Sequence, residues 1–107
     1  MRILLDECVP RPLLRELPAH DVRTIQEMGW AGRKNGELLA LMAGAGFDVL
    51  LTVDQNLRYQ QKLVASGVAV IVMIAASSRM NDLMPLIPFV EIELGTIHAG
   101  QSVEVRM

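Results

Sequence analysis

The chain has 107 residues and a mass of 11.8 kDa, 51% of it hydrophobic and 21% charged, which bounds it to one globular domain and excludes a disordered chain. A formal charge of −2 excludes nucleic-acid binding driven by net charge alone, though not a local basic rim around an acidic centre. A single cysteine, Cys8, excludes a disulfide framework and suits a reducing compartment, so the cytosol is the expected location.

Aromatic residues are 4% of the chain, so the core must be built from Leu, Val, Ile, Ala and Met. The longest apolar run, residues 68–76, falls far short of the about 20 residues a membrane span needs. The N-terminus meets Asp6 and Glu7 too early for a signal-peptide apolar region.

Residues 2–5 form a short apolar run ending in acids, which predicts a buried first strand. Pro10 and Pro12 suit the first turn of a helix that runs through Leu13, Leu14 and Leu17 and stops before Pro18. Residues 20–25 alternate like a second strand, and residues 29–34 form a glycine-bracketed loop. Asn35 is placed to cap a helix reaching about Ala45, with Leu38, Leu39, Leu41 and Met42 as its apolar stripe. Residues 48–53 are nearly continuous in apolar character, as a central parallel strand should be. A helix is expected over 56–66, and a buried strand over 68–74. Ser77 and Ser78 are read as the cap of a helix over 81–87, interrupted at Pro85 and Pro88 and resuming towards Glu93. Residues 102–106 alternate like an edge strand.

Strands alternating with helices imply right-handed βαβ units, and so an α/β domain spanning residues 1–107 with a mostly parallel sheet. Such sheets bind ligands beyond the carboxyl ends of their strands. Two acids fall there, Asp6 after the first strand and Asp54 after the strand over 48–53. Glu37, in the first turn of the helix after the 29–34 loop, is the third candidate, because a helix returning to a parallel strand begins at the carboxyl edge. Converging carboxylates repel one another, and Mg²⁺ or Mn²⁺ offsets that repulsion while polarising a phosphodiester and activating water. An acid after a strand also serves as a turn former or helix cap, and spacing alone does not choose between these readings.

The segments Leu4-Leu5-Asp6-Glu7, 50–57, 20–22, 29–32 and Asn35-Gly36-Glu37-Leu38-Leu39 together resemble the short bacterial PIN-like domains, over residues 1 to about 75. The resemblance implies a three-layer α/β/α fold and a metal-dependent endoribonuclease using Mg²⁺ or Mn²⁺, often the toxin of a type II toxin–antitoxin pair. RNA would be its substrate and a cognate antitoxin its protein partner. Carried over by position, Asp6, Asp54 and Glu37 look like metal ligands and catalytic acids, with Thr52 the polar residue beside Asp54. Glu7 lies next to the first ligand. Asn56 stands where PIN nucleases with a full acid set usually offer a fourth acid, and Asn35 where related domains often have Asp. Fewer acids mean weaker metal binding, so a degenerate PIN-like module acting through a protein partner is the alternative.

Arg11 with Arg15, Arg33 with Lys34, and Arg58 with Lys62 are candidate phosphate contacts, against the ordinary reading of solvated faces. Of these, Arg58, Lys62 and Arg11 are taken as the substrate-binding set. Trp30 and Tyr59 can stack on a base or anchor a loop, and Cys8 reads as a small buried apolar residue. His20 and His98 lack zinc-ligand spacing. A receiver-like phosphoacceptor domain is disfavoured because Ala75-Ala76-Ser77 stands where a lysine is expected. Met80, Met84, Leu86 and Phe89 suggest more apolar surface than one subunit buries, and hence a homo-oligomer.

Overall fold

In a computed structural model of the chain, which describes residues 1–56 and 66–107, five strands form one sheet. They are β1 (Arg2–Leu5), β2 (Asp21–Thr24), β3 (Val49–Thr52), β4 (Ala69–Met73) and β5 (Ser102–Val105). Their order is β2-β1-β3-β4-β5, and every pairing is parallel. The sheet expected to be mostly parallel is therefore wholly so.

Among the described residues the helices are α1 (Ile25–Met28), α2 (Asn35–Gly44), α3 (Met80–Leu83) and α4 (Ile87–Leu94), with 3₁₀ segments at Arg11–Glu16 and Met84–Leu86. Successive strand residues point to opposite faces, so each strand divides its side chains between two cores. Ile3, Leu5, Val49, Leu51 and Ile71 pack with Leu13 and Leu17 and with Leu83, Val90 and Leu94 from the later helices. Leu4, Leu50, Val70 and Val72 pack instead with Leu38, Leu39 and Met42 of α2. Helices thus cover both faces, giving three layers, and the near-continuous apolar strands follow from that double burial.

Several boundaries differ from expectation for local reasons. The segment after Pro10 is 3₁₀ rather than α-helical: Leu13 N–H bonds the carbonyl of Pro10, three residues back, and Leu17 N–H that of Leu14. The second strand stops at Thr24, because Thr24 and Glu27 form a reciprocal capping box that starts α1. Gly29, at φ 74°, closes that helix in the left-handed conformation only glycine adopts cheaply. Asn35 is the first helical residue of α2 rather than its cap, which is Lys34. Likewise Ser77 acts just outside α3: its hydroxyl accepts from Arg79 N–H and donates to Asp82, while Arg79 occupies the cap position. The helix expected over 56–66 falls on residues 57–65, outside the described ones.

Leu86 is almost wholly buried within the subunit, at 2% exposure, whereas Met84, Phe89 and Ile92 are exposed. Among the described residues, no helix is long and apolar enough to cross a membrane.

Candidate functional site

Strand order fixes where a ligand should sit. From β1 the chain moves to β2 on one side and later to β3 on the other, so the order reverses between β1 and β3. In an open parallel sheet the crevice at the carboxyl ends of such a strand pair is the usual ligand site. Leu5 pairs with Leu51, so the next residues along, Asp6 and Thr52, lie side by side at that edge. Asp6 N–H extends the ladder by bonding the Leu51 carbonyl at 3.0 Å.

Both side chains are oriented by hydrogen bonds. Thr52, fully buried, donates its hydroxyl proton to Asp6 Oδ2 at 2.6 Å and accepts from Asp54 N–H at 3.0 Å. Glu7 N–H donates to Asp6 Oδ1 at 2.8 Å, and Asn56 N–H donates to Asp54 Oδ1 at 3.0 Å. One hydroxyl therefore couples the carboxylate of the first strand end to the backbone of the second acid. A buried hydroxyl with both roles filled carries no desolvation penalty, which is why a polar residue is tolerated at the end of a strand otherwise buried and apolar.

Asp6 and Asp54 open into one cleft of about 400 Å³, bordered also by Glu7, Cys8, Arg33 and Asn35. The flank formed by the 29–34 loop is tied down through Glu7, whose Oε1 accepts from Gly32 N–H at 2.6 Å. Behind the loop, Trp30 packs edge-on against Phe47 with centroids 5.8 Å apart, so its ring is a hydrophobic anchor of the loop.

The remaining candidates separate. Glu37 lies in the first turn of α2, as expected, but its exposed carboxylate pairs with Arg33 at 3.5 Å and does not border the cleft. Arg11 borders a different groove, shared with Leu14, His20 and Arg23. Arg58, Lys62 and Tyr59 lie outside the described residues. Cys8 was missed as a member of the site: it is exposed rather than buried, with its sulfur 3.8 Å from Asp6 Oδ2 and 3.7 Å from Thr52 Oγ1. Loss of water around the sulfur raises the thiol pKa, and the negative charge of Asp6 adds to the effect. The sequence signal was simple adjacency, since Cys8 follows Asp6 by two in a loop leaving the carboxyl edge.

Two carboxylates and a neighbouring hydroxyl suit a small hard cation. Mg²⁺ typically takes one or two protein carboxylates and completes its shell with water and phosphate oxygens. Asp54 Oδ2 has no hydrogen-bond partner among the described residues, and there Asp6 Oδ1 and Asp54 Oδ1 each accept a single hydrogen bond and retain a further lone pair. Among those same residues, no three acidic, histidine or cysteine side chains stand together as a ready chelating group. The donor set thus fits a weakly held, water-rich ion rather than a closed cage. Comparison of the chain with protein-family models, with curated proteins and with solved structures gives no match.

Proposed function

We propose that the protein is a PIN-like endoribonuclease dependent on Mg²⁺ or Mn²⁺, acting in the cytosol, with Asp6 and Asp54 as its metal ligands. The observation that carries this reading is their meeting in one cleft at the reversal of strand order, coupled through Thr52. When bound, the ion would supply Lewis acidity towards a phosphodiester and lower the pKa of a water ligand.

The chain's own contribution is positioning. Thr52 and the Glu7 N–H fix the plane of the Asp6 carboxylate, so little rearrangement is needed when a cation arrives. Among the described residues Asp54 is held on one oxygen, which leaves the other for a ligand or for directing a water. Arg33, on the wall of the cleft, is positioned to neutralise phosphate charge when its loose pairing with Glu37 opens. A role as the toxin of a toxin–antitoxin pair, with an antitoxin as partner, goes with this reading. The exposed Met84, Phe89 and Ile92 are the apolar surface a protein partner or a second copy would cover.

A second reading, a catalytically degenerate module acting through a protein partner, is favoured by one observation: the Glu37 carboxylate is engaged by Arg33 rather than facing Asp6 and Asp54. One experiment separates the two. The nuclease cleaves single-stranded RNA with Mn²⁺, gains melting temperature on Mn²⁺ titration, and loses both properties in Asp6→Asn and in Asp54→Asn. Cleavage by pure protein in excess chelator, or a melting temperature indifferent to Mn²⁺, overturns the nuclease reading.

A further inference from the structure

A second recess opens at the same carboxyl edge of the sheet. Thr52 pairs with Val72 and Val72 with Glu104, so the ends of β3, β4 and β5 reach the same carboxyl edge. The bond from Ile74 N–H to the Val105 carbonyl, 2.8 Å, carries this pairing past the end of β4. Adjacent strands lie about 4.8 Å apart, so the ends of β3 and β5, two strands apart, are separated by roughly 10 Å. At the ends of β4 and β5 a pocket of about 490 Å³ is walled by Ile74, Pro85 and Leu86 and rimmed by Asn81, Asp82 and Arg106.

We propose that this pocket receives an unpaired nucleobase of the RNA, one that flanks the phosphodiester held at Asp6 and Asp54. The inference rests on the nuclease reading and names a substrate subsite for it. The chemistry of the walls argues for a base rather than a phosphate. Apolar side chains on one side suit the flat face of a base, and the Asn81 amide offers both a donor and an acceptor to its edge. The Asp82 carboxylate, held by Ser77, repels a phosphate but accepts from an exocyclic amine. Arg106 is exposed and, among the described residues, pairs at one nitrogen with Glu104, at 2.7 Å, which leaves further donors of its guanidinium for the base or the adjoining backbone. Recognition of single-stranded RNA generally takes this form, with a base lifted out of the strand and bound on its edge and face.

The test uses the full chain, a fluorescent single-stranded RNA oligonucleotide, and the exposed-site variants Asn81→Ala and Arg106→Gln. Each variant is expected to weaken RNA binding about tenfold, by the loss typical of one base contact, and to raise KM more than it lowers kcat. The rise in melting temperature with Mn²⁺ should persist in both, because neither residue touches the acids. On the RNA side, an abasic ribose next to the cleavage point should cost the same factor in wild type and no further factor in the variants. Variants that bind intact RNA as tightly as wild type overturn the pocket while leaving the nuclease reading in place. Wild-type protein that binds no RNA overturns both. Weakened binding in the variants, with no cleavage or Mn²⁺ response in wild type, removes the nuclease and, with it, the placement of the base beside a phosphodiester at the acids.

Discussion

The hydroxyl of Thr52 stands between the two acids of the cleft, 2.6 Å from Asp6 Oδ2 and 3.0 Å from the backbone nitrogen of Asp54. Replacing it with valine keeps the branched shape but strips both hydrogen bonds from a fully buried site. Thr52→Val is expected to cost about 1–3 kcal/mol of stability, since the groups left behind lose their partner. It should also lower Mn²⁺ affinity, because the Asp6 carboxylate is then free to turn. Thr52→Ser, which restores the hydroxyl, should recover the Mn²⁺ response while remaining somewhat less stable through loss of the methyl group. Equal Mn²⁺ titrations for wild type and Thr52→Val would remove Thr52 from the site.

A second prediction concerns the wall of the cleft formed by Ile25, which enters α1 directly after the capping residue Thr24. Thr24 is buried, and its oxygen accepts from Glu27 N–H at 3.1 Å while the Glu27 carboxylate returns a bond to Thr24 N–H at 3.2 Å. Thr24→Ala should destabilise the protein by about 1 kcal/mol. That corresponds to a drop of roughly 4–8 °C in melting temperature for a domain of this size. Thr24→Ser, which keeps the acceptor, should lose much less in the same thermal scan.

These two threonines show which parts of the structure were legible from sequence. The strands were, because a parallel strand covered on both faces must be almost uninterrupted in apolar residues, as Leu50 and Leu51 are. The position of Asp6 and Asp54 followed from strand direction alone. The short helix α1 was not separated from the second strand, because Ile25 continues the strand alternation; the spacing Thr24-x-x-Glu27 was the available signal against it. Side-chain destinations were harder. Whether Glu37 turns towards the cleft or towards Arg33 depends on rotamers, which strand and helix periodicity do not encode, and Cys8 was judged by what cysteines usually do rather than by its place after Asp6.

The third prediction is a pH dependence. The hydrogen bond from Arg23 holds the Asp21 carboxyl below its ordinary value near 3.8, with Arg2 contributing on its other side. A carboxyl whose folded pKa is lowered stabilises the fold above the unfolded pKa and loses that contribution as pH falls through the folded value. Wild type should therefore melt slightly above Asp21→Asn at neutral pH, and the gap should close in acid, below about pH 4. The pair is exposed, so the gap is small, and raising the salt concentration should narrow it further. Parallel melting curves across pH, with no convergence in acid, would mean that Asp21 adds nothing.

The fourth prediction turns on Glu37. Its carboxylate lies 3.5 Å from Arg33, four residues earlier in the loop before α2, both side chains more than half exposed at 52% and 56%. Arg33 lies outside α2, whose cap is Lys34, so the contact is a solvent-exposed pair across the helix entrance. Glu37→Ala should consequently change stability by no more than about 0.5 kcal/mol. If the acids that matter are the two bordering the cleft, RNA cleavage should fall less than tenfold in Glu37→Ala and at least a hundredfold in Asp6→Asn. A loss of equal size would mean that the Arg33 pairing opens in the working enzyme and Glu37 swings in as a third ligand. Arg33→Ala then decides the matter: freeing Glu37 would tighten Mn²⁺ binding if the carboxylate travels to the cleft, and would leave it unaltered if Glu37 stays on the outer face of α2.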